Sequence, residues 1–256
     1  MGKLEVHGQT ASCTGGIELH NLKKKSFSLP QAIAGVLAES KKDSDIPTQK
    51  ALQSFSNMSV DISWLPYCAK SYEISPKVQD YVVSVVPVVT SDVPNRNLQA
   101  MSSAELFSFD IRAGRPAFKT FIGKPTFMNH VNKNPLEAKG VNFDSCALSV
   151  PKYGLYKILV LSGFDRTKDT ELVNSILKKE RVAYSMGCWV DMFRCSVCGT
   201  DVKNSCMCFD AHGKGGITKN DRLVYQELTG ISFFENSVLD KDPADWTAVG
   251  NDLLQL

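Results

Sequence analysis

The clearest hydrophobic pattern in the chain is a nearly unbroken apolar run at residues 81–90. The run reads YVVSVVPVVT, is rich in β-branched residues and ends before a turn-prone Ser-Asp-Val-Pro-Asn segment, which predicts a buried strand. Pro87 inside the run favours a bend or an edge position. Other apolar runs predict strands at residues 117–122, 141–148, 156–162, 183–193 and 230–239.

One helical pattern stands between these strands, at residues 168–180. Its apolar positions follow a helical period, and Thr167 or Asp169 can cap its first turn. The apolar stripe consists of Leu172, Val173, Ile176 and Leu177. Many strands with few helices predict an α+β, mainly β fold, in which a barrel or sandwich is surrounded by helices.

Residues 1–75 are less regular than the rest of the chain. A basic run at Lys23–Lys25 and a polar run at Glu39–Asp45 flank a short apolar segment in which Pro30 can open a helix. We interpret residues 1–75 as an N-terminal arm or propeptide-like segment and residues 76–256 as the main domain. The alternative is an N-terminal helix with loops docked on the core.

The composition excludes several classes of protein. The chain has 256 residues, is 43% hydrophobic and carries a net charge of +2, which gives no reason to expect a specific nucleic-acid partner. No apolar run approaches the roughly 20 residues of a membrane span, and the first residues lack a signal-peptide core. We therefore expect residence in the cytosol, where the eight cysteines call for a role other than disulfides.

A cysteine-rich insertion at residues 195–212 has the spacing of a zinc site. Cys195 and Cys198 form a Cys-x2-Cys pair, and Cys206, Cys208 and His212 compete for the two remaining places of a tetrahedral site. We take the ligand set to be Cys195, Cys198, Cys208 and His212. Because all four ligands are protein groups, this set favours one structural zinc ion rather than a catalytic one. Catalysis would not require the ion. The alternative is that the cysteines lie in a loop without a metal.

Three further positions supply the parts of a serine hydrolase. His130 follows a turn-prone Gly-Lys-Pro segment, Ser185 opens an apolar strand beside a glycine, and Glu235 lies inside an apolar strand where an unpaired carboxylate would be costly. A serine hydroxyl needs a base to take its proton, and the base needs an orienting partner. His130, Ser185 and Glu235 can fill these roles. Rivals for the acid are Asp165, Asp169, Asp191 and Asp210.

The order of several sequence blocks resembles the prohead (capsid-maturation) proteases of tailed phages, which are related to the herpesvirus assemblin proteases. The blocks are GKPTFMNH at 123–130, ILVLSG at 158–163, AYSMG at 183–187, and FENSV at 234–238 with a following Pro-Ala. The resemblance covers roughly residues 78 to 250. It implies an assemblin-like closed or partly open β-barrel with a few helices, in which His130 is the base, Ser185 the nucleophile and Glu235 the third member.

The resemblance also implies a substrate and a place of action. Such proteases cut scaffold and major capsid proteins inside the immature prohead in the host cytoplasm, often after Glu. Leu37-Ala38-Glu39 matches such a motif, which predicts self-cleavage after Glu39. We expect no membrane partner and no specific nucleic acid, and a homodimer is left open.

Two other functions compete with a protease. A non-catalytic phage structural or scaffold protein could keep the same fold. A zinc-ribbon nucleic-acid module is the second, with Lys203, Lys214 and Lys219 near the cysteines. The near-neutral charge of the chain and the lack of a stripe of aromatic and basic residues argue against the nucleic-acid module.

Overall fold

The computed structural model describes residues 4–6, 62–250 and 252–254. Thirteen strands and four α-helices lie in these ranges. The helices are α1 (Leu65–Tyr72), α2 (Ser103–Phe107), α3 (Thr170–Leu177) and α4 (Met207–His212). The first strands are β1 (Leu4–Val6), β2 (Tyr81–Thr90), β3 (Gln99–Met101), β4 (Phe109–Asp110), β5 (Arg115–Pro116) and β6 (Pro125–Met128). The others are β7 (Gly140–Val150), β8 (Leu155–Asp165), β9 (Ala183–Val190), β10 (Met192–Cys195), β11 (Gln226–Thr229), β12 (Ser232–Leu239) and β13 (Asp252–Leu254).

Eight strands form the main sheet, in the order β1-β9-β12-β6-β7-β8-β2-β13. Its neighbours are antiparallel except for β12 and β6, which are parallel. We expected a closed or partly open barrel, and the pairing of the described strands does not close this sheet. A smaller sheet has the order β10-β11-β3, and β4 pairs with β5. The expectation of a mainly β protein with few helices and a cysteine cluster is confirmed.

The main sheet is buried on both faces, which explains its near-continuous apolar strands. In β2, Val82 and Val86 belong to one apolar cluster, and Val83 and Val85 belong to another on the opposite face. Helix α1 belongs to the second cluster, so part of the predicted arm packs on the sheet. Most of that arm, including Glu39, lies outside the described residues.

Most of the predicted elements appear with small shifts in their ends, but one prediction is wrong. Residues Ala117–Phe121 form a 3₁₀ helix instead of a strand. The Thr120 hydroxyl donates a hydrogen bond to the Ala117 carbonyl at 2.7 Å, a local bond that competes with strand pairing. The Phe121 ring then stacks on Phe233 of β12, with ring centroids 4.2 Å apart.

Two pairs of consecutive strands form one long hairpin that carries both candidate sites. β9 continues into β10 after Asp191, and β11 continues into β12 after Gly230. The register runs from Ala183 opposite Leu239 at one end, through Ser185 opposite Ser237, to Cys195 opposite Gln226 at the other. Residues 196–225 form the tip of this hairpin. The predicted strand at 183–193 is therefore interrupted at Asp191.

None of the helices in the described ranges has the length and apolar character needed to cross a membrane.

Candidate active site and metal centre

His130, which is partly exposed, and the buried Glu235 form a pair next to the hairpin. His130 Nδ1 lies 2.7 Å from Glu235 Oε1, and the carboxylate side chain is fully buried. An ionised carboxylate can only accept hydrogen bonds, so Nδ1 carries the hydrogen in this pair. The other ring nitrogen, Nε2, is buried without a hydrogen-bond partner in the described part of the chain. In the tautomer with hydrogen on Nδ1, the lone pair of the imidazole lies on Nε2.

The turn after β6 holds His130 in place through its backbone. Asn129 and His130 both have left-handed backbone conformations, with φ of 50° and 56°. Asn129 Nδ2 donates to Asp240 Oδ2 at 2.7 Å, and Asp240 N donates to Asn129 Oδ1 at 3.0 Å. His130 N donates to Ser237 Oγ at 3.3 Å. Asn and His tolerate this conformation better than most residues, and the surrounding bonds fix it.

Ser237 completes the shell around the acid, and sequence reasoning missed it. Its hydroxyl donates to Glu235 Oε2 at 2.7 Å. Glu235 and Ser237 are two residues apart in β12, so both side chains lie on one face of the sheet. The Glu-x-Ser pattern was the signal in the sequence, because that spacing places a hydroxyl beside a strand carboxylate.

Ser185 lies on the same face of the sheet as this pair. It is the register partner of Ser237 across β9 and β12, and directly opposed residues of antiparallel strands point to the same side. Ser185 is 1% exposed. Since His130 Nε2 has no partner in the described residues, the serine-to-base hydrogen bond of a triad is not formed in this structure. Catalytic hydrogen bonds often tighten only when substrate binds.

Gly187 provides the space that the carboxylate occupies. It faces Glu235 across the two strands. A Cβ atom at this position would lie 2.7 Å from Glu235 Oε1 and 2.5 Å from Cζ of Phe234. A side chain at this position would force the Phe234 ring, the Glu235 carboxylate or both to move, so the glycine leaves room for the pair.

The four rival acids have other roles or other surroundings. Asp165 accepts hydrogen bonds from Ser75 N and from Thr167. Asp169 caps α3 and forms an ion pair with Lys139 at 3.2 Å. Asp191 and Asp210 are exposed. Among the described contacts, no hydrogen bond or ion pair joins any of the four to His130.

A buried polar chain lies on the opposite face of β12. Asn236 Nδ2 donates to Ser162 Oγ at 2.8 Å, and Ser162 Oγ donates to Asn142 Oδ1 at 2.9 Å. The chain joins β12 to β8 and β7. A slip of β12 by one residue would exchange its two faces, so these bonds help to keep Glu235 and Ser237 on the face that carries His130.

The cysteine cluster lies at the tip of the same hairpin. The sulfurs of Cys195, Cys198, Cys206 and Cys208 lie within 4.8 Å of one another. A tetrahedral zinc with Zn–S bonds of about 2.3 Å needs sulfurs roughly 3.8 Å apart, and Cys198 and Cys206 Sγ are 3.5 Å apart. The geometry therefore fits a four-sulfur metal site.

The backbone around the first pair has the shape of a metal-binding knuckle. Val197 N lies 3.4 Å from Cys195 Sγ, and Gly199 N donates to the Cys195 carbonyl at 2.8 Å. Gly199 has a φ of 73°, a left-handed conformation that favours glycine. Hydrogen bonds from the side chain and backbone of Thr200 lower the pKa of Cys198 to about 6. This shift favours the thiolate form of Cys198, which is the form that binds a metal.

The structure differs from the predicted ligand set at one position. Cys206 belongs to the cluster, whereas His212 lies outside it. The reason is helix α4, which Cys206 precedes and His212 ends. Cys206 and Cys208 lie at its first turn, and six residues of helix separate the backbone of His212 from Cys206 by about 9 Å. Spacing along the chain could not reveal this separation.

The described side chains offer two kinds of chemistry. His130, Glu235 and Ser185 supply a base, an acid that orients it and a hydroxyl on one face of the sheet. The four cysteines supply sulfur ligands for a soft metal ion.

Comparisons of the chain with protein-family models, with curated proteins and with solved structures found no match.

Proposed function

We propose that the protein is a serine endopeptidase in which Ser185 is the nucleophile, His130 the base and Glu235 the orienting acid. The observation that carries this proposal is the 2.7 Å contact between His130 Nδ1 and a fully buried Glu235 carboxylate. This contact leaves Nε2 without a partner in the described chain. Ser185 lies on the same sheet face, one strand away.

The reaction follows from these roles. His130 Nε2 takes the proton of the Ser185 hydroxyl as the oxygen attacks the substrate carbonyl, and Glu235 stabilises the imidazolium that forms. The imidazolium then gives its proton to the leaving amine, which breaks the peptide bond and leaves an acyl-serine. Water attacks the acyl-serine with His130 again as base, which releases the new carboxyl end and restores the serine.

The substrates that we propose are the scaffold and major capsid proteins of a phage, cut after Glu inside the immature prohead in the host cytoplasm. The protein also cuts itself, after Glu39. The ordered sequence blocks that resemble prohead proteases support this part, as does a mainly β architecture in which an assemblin-like barrel would be partly open.

Coexpression with the capsid and scaffold proteins tests the activity. Ser185→Ala should abolish the cleavage products and leave an intact N-terminus by mass spectrometry. Ser145→Ala is the matched control, because it removes a buried hydroxyl of β7 that donates to the Phe118 carbonyl, outside the hydrogen bonds of the His130–Glu235 pair. We expect it to retain cleavage. Identical processing with and without Ser185 would remove the serine-protease proposal in favour of a non-catalytic structural protein.

We also propose that the cysteine cluster binds one structural zinc ion. The tip has only a small apolar cluster, formed by Cys195, Cys206 and Val224 with a few partly buried neighbours. Small units with little core commonly depend on a metal or a disulfide for stability. Four thiolates bound to zinc would fix the tip and, through the hairpin, the strands that carry Ser185 and Glu235.

Metal analysis of purified protein tests the zinc site. We expect about one zinc per chain, with Cys206→Ser lowering it below about 0.2 and His212→Asn leaving it unchanged, since structural sites bind tightly. A loss of zinc with His212→Asn but not with Cys206→Ser would restore the ligand set expected from the sequence.

A further inference from the structure

Three neighbouring strands, each carrying one group of the candidate site, reach the same end of the main sheet. The order β9-β12-β6 places them side by side. β12 and β6 are parallel, so both end there, and β9 is antiparallel to β12, so it begins there. Ser185 lies in β9, Glu235 lies in β12, and His130 follows β6 by two residues. The relative position of these strand ends therefore sets the distances between the three groups.

One carboxylate joins all three strand ends. Asp240 directly follows β12. Its Oδ2 accepts a hydrogen bond from Asn129 Nδ2 at 2.7 Å, and its backbone N–H donates to Asn129 Oδ1 at 3.0 Å. Its Oδ1 lies 2.5 Å from Arg181 Nη1. Asn129 directly follows β6, and Arg181 precedes β9 by two residues, so these bonds link β12 to both of its neighbours.

The turn at Asn129 and His130 needs such an anchor. Both residues have a positive φ, a conformation that is costly for residues other than glycine unless their surroundings hold it. β6 pairs with β12 through a short ladder, in which residues 126–128 face residues 236–238. The two reciprocal bonds with Asp240 lie beyond this ladder. They fix the side chain of Asn129 and, with it, the start of the turn that carries His130.

We propose that Asp240 is a positioning residue for the candidate active site, and that Arg181 holds its carboxylate in place. Asp240 acts through Asn129 on the turn that carries His130, and through Arg181 on the segment that leads to Ser185. Its role in hydrolysis rests on the proposed serine-protease function. Its effect on the contact between His130 and Glu235 rests on the described bonds alone.

The exposure of the pair separates a positioning role from a structural one. The side chains of Arg181 and Asp240 are 31% and 45% exposed. Ion pairs with this exposure contribute little to the free energy of unfolding. In contrast, a misplacement of a catalytic group by about 1 Å can lower a rate about 100-fold. Removal of the Asp240 carboxylate should therefore lower turnover far more than it lowers stability.

Kinetics of full-length Asp240→Ala protein, measured with a quenched peptide of residues 37–40, test the proposal. We expect kcat to fall at least about 30-fold while KM stays within about threefold. The melting temperature should fall by less than about 5 °C. Asp242→Ala is the matched control, because Asp242 forms another exposed ion pair, with Arg96 at 2.8 Å. It should keep kcat within about twofold.

Conservative variants separate the hydrogen bond from the charge. Asp240→Asn keeps an oxygen for Asn129 Nδ2 and loses the charge, so we expect kcat to fall by about tenfold or less. Arg181→Lys keeps a cation near Asp240 and should retain at least about three times the kcat of Arg181→Ala. Parental kcat in Asp240→Ala would overturn the proposal. Equal losses in Asp240→Ala and Asp242→Ala would also overturn it.

A measurement without substrate keeps the test independent of hydrolysis. Nitrogen NMR of inactive Ser185→Ala protein reads the tautomer of His130, whose Nδ1 faces the buried Glu235 carboxylate. Adding Asp240→Ala should shift both ring-nitrogen signals toward the average of the two tautomers, and adding Asp242→Ala should leave them unchanged. Unchanged signals with Asp240→Ala would overturn the positioning role. If the parental protein cuts no peptide, the protease proposal fails, and shifted signals would leave the positioning role standing.

Discussion

Replacing Glu235 by Gln separates the role of the carboxylate charge from the role of its shape. The carboxylate is fully buried and accepts hydrogen bonds from His130 Nδ1 and Ser237 Oγ, both at 2.7 Å. Glutamine fills the same space. If its NH₂ faces His130, it forces the tautomer with hydrogen on Nε2, which cannot accept a proton from Ser185. If its oxygen faces His130, the developing imidazolium loses the opposing charge.

Either orientation predicts a large loss of rate and a small loss of stability. Loss of the orienting carboxylate of a serine triad lowers kcat on the order of 10⁴-fold, which corresponds to about 5.5 kcal/mol at about 1.4 kcal/mol per tenfold. The Ser237 hydroxyl can rotate to accept from the new NH₂, and removal of a buried charge offsets much of the lost hydrogen bonding. We therefore expect the free energy of unfolding to change by less than about 2 kcal/mol.

The assay is kcat/KM with a quenched peptide that spans Leu37–Ser40, together with urea unfolding. Asp165→Asn is the matched control, because Asp165 is also a fully buried carboxylate and accepts from Ser75 N and Thr167. It should lose about 1–3 kcal/mol of stability, since an amide NH₂ must face a donor, and keep its activity per folded molecule. More than about a tenth of the parental kcat/KM in Glu235→Gln would refute the reasoning. So would nitrogen NMR of the parent protein showing His130 Nδ1 without hydrogen.

Three further predictions concern the hairpin and a cysteine of the sheet. Gly187→Ala should lower kcat/KM at least about 100-fold in the same assay, because its Cβ would lie 2.7 Å from Glu235 Oε1; parental activity would show that the pair does not need this space. Removal of zinc by a chelator should allow limited proteolysis within residues 196–225 before the β7–β8 sheet is cut, and an unchanged digest would count against a structural metal. Burial raises the pKa of Cys146 to about 11, so iodoacetamide should leave it largely unmodified at pH 8 and alkylate it as the pH passes about 10; rapid labelling at pH 8, read by mass spectrometry, would contradict this.

The strands were predictable where apolar runs are long, and the site was predictable only as separate parts. Residues 81–90 form a strand because β-branched residues suit a sheet that is buried on both faces. The 117–121 segment is shorter and reads Ala-Phe-Lys-Thr-Phe, with a single β-branched residue. The Thr120 hydroxyl bonds to its own turn, and Phe121 packs against Phe233. Its two phenylalanines suggested a strand, but a short segment with one β-branched residue is a weak strand signal.

Within the site, the sequence predicted that Glu235 has a partner, because a carboxylate inside an apolar strand is costly to bury alone. The partner depends on the turn at Asn129 and on the register of three strands. Pairing between strands far apart in sequence leaves no local signal. The same holds for the choice of Cys206 over His212, which the start of α4 decides.

The tip of the long hairpin begins and ends at adjacent points in space. Ser196 N donates to the Tyr225 carbonyl at 3.0 Å, and Tyr225 N donates to Ser196 Oγ at 2.9 Å. Segments whose ends meet in this way tolerate exchange and insertion, because the entropy of closing a loop grows only slowly with its length. The tip is therefore a grafting point: a short turn, an epitope or a reporter domain placed between these two residues would close the same short gap, and it would remove the metal site that we propose.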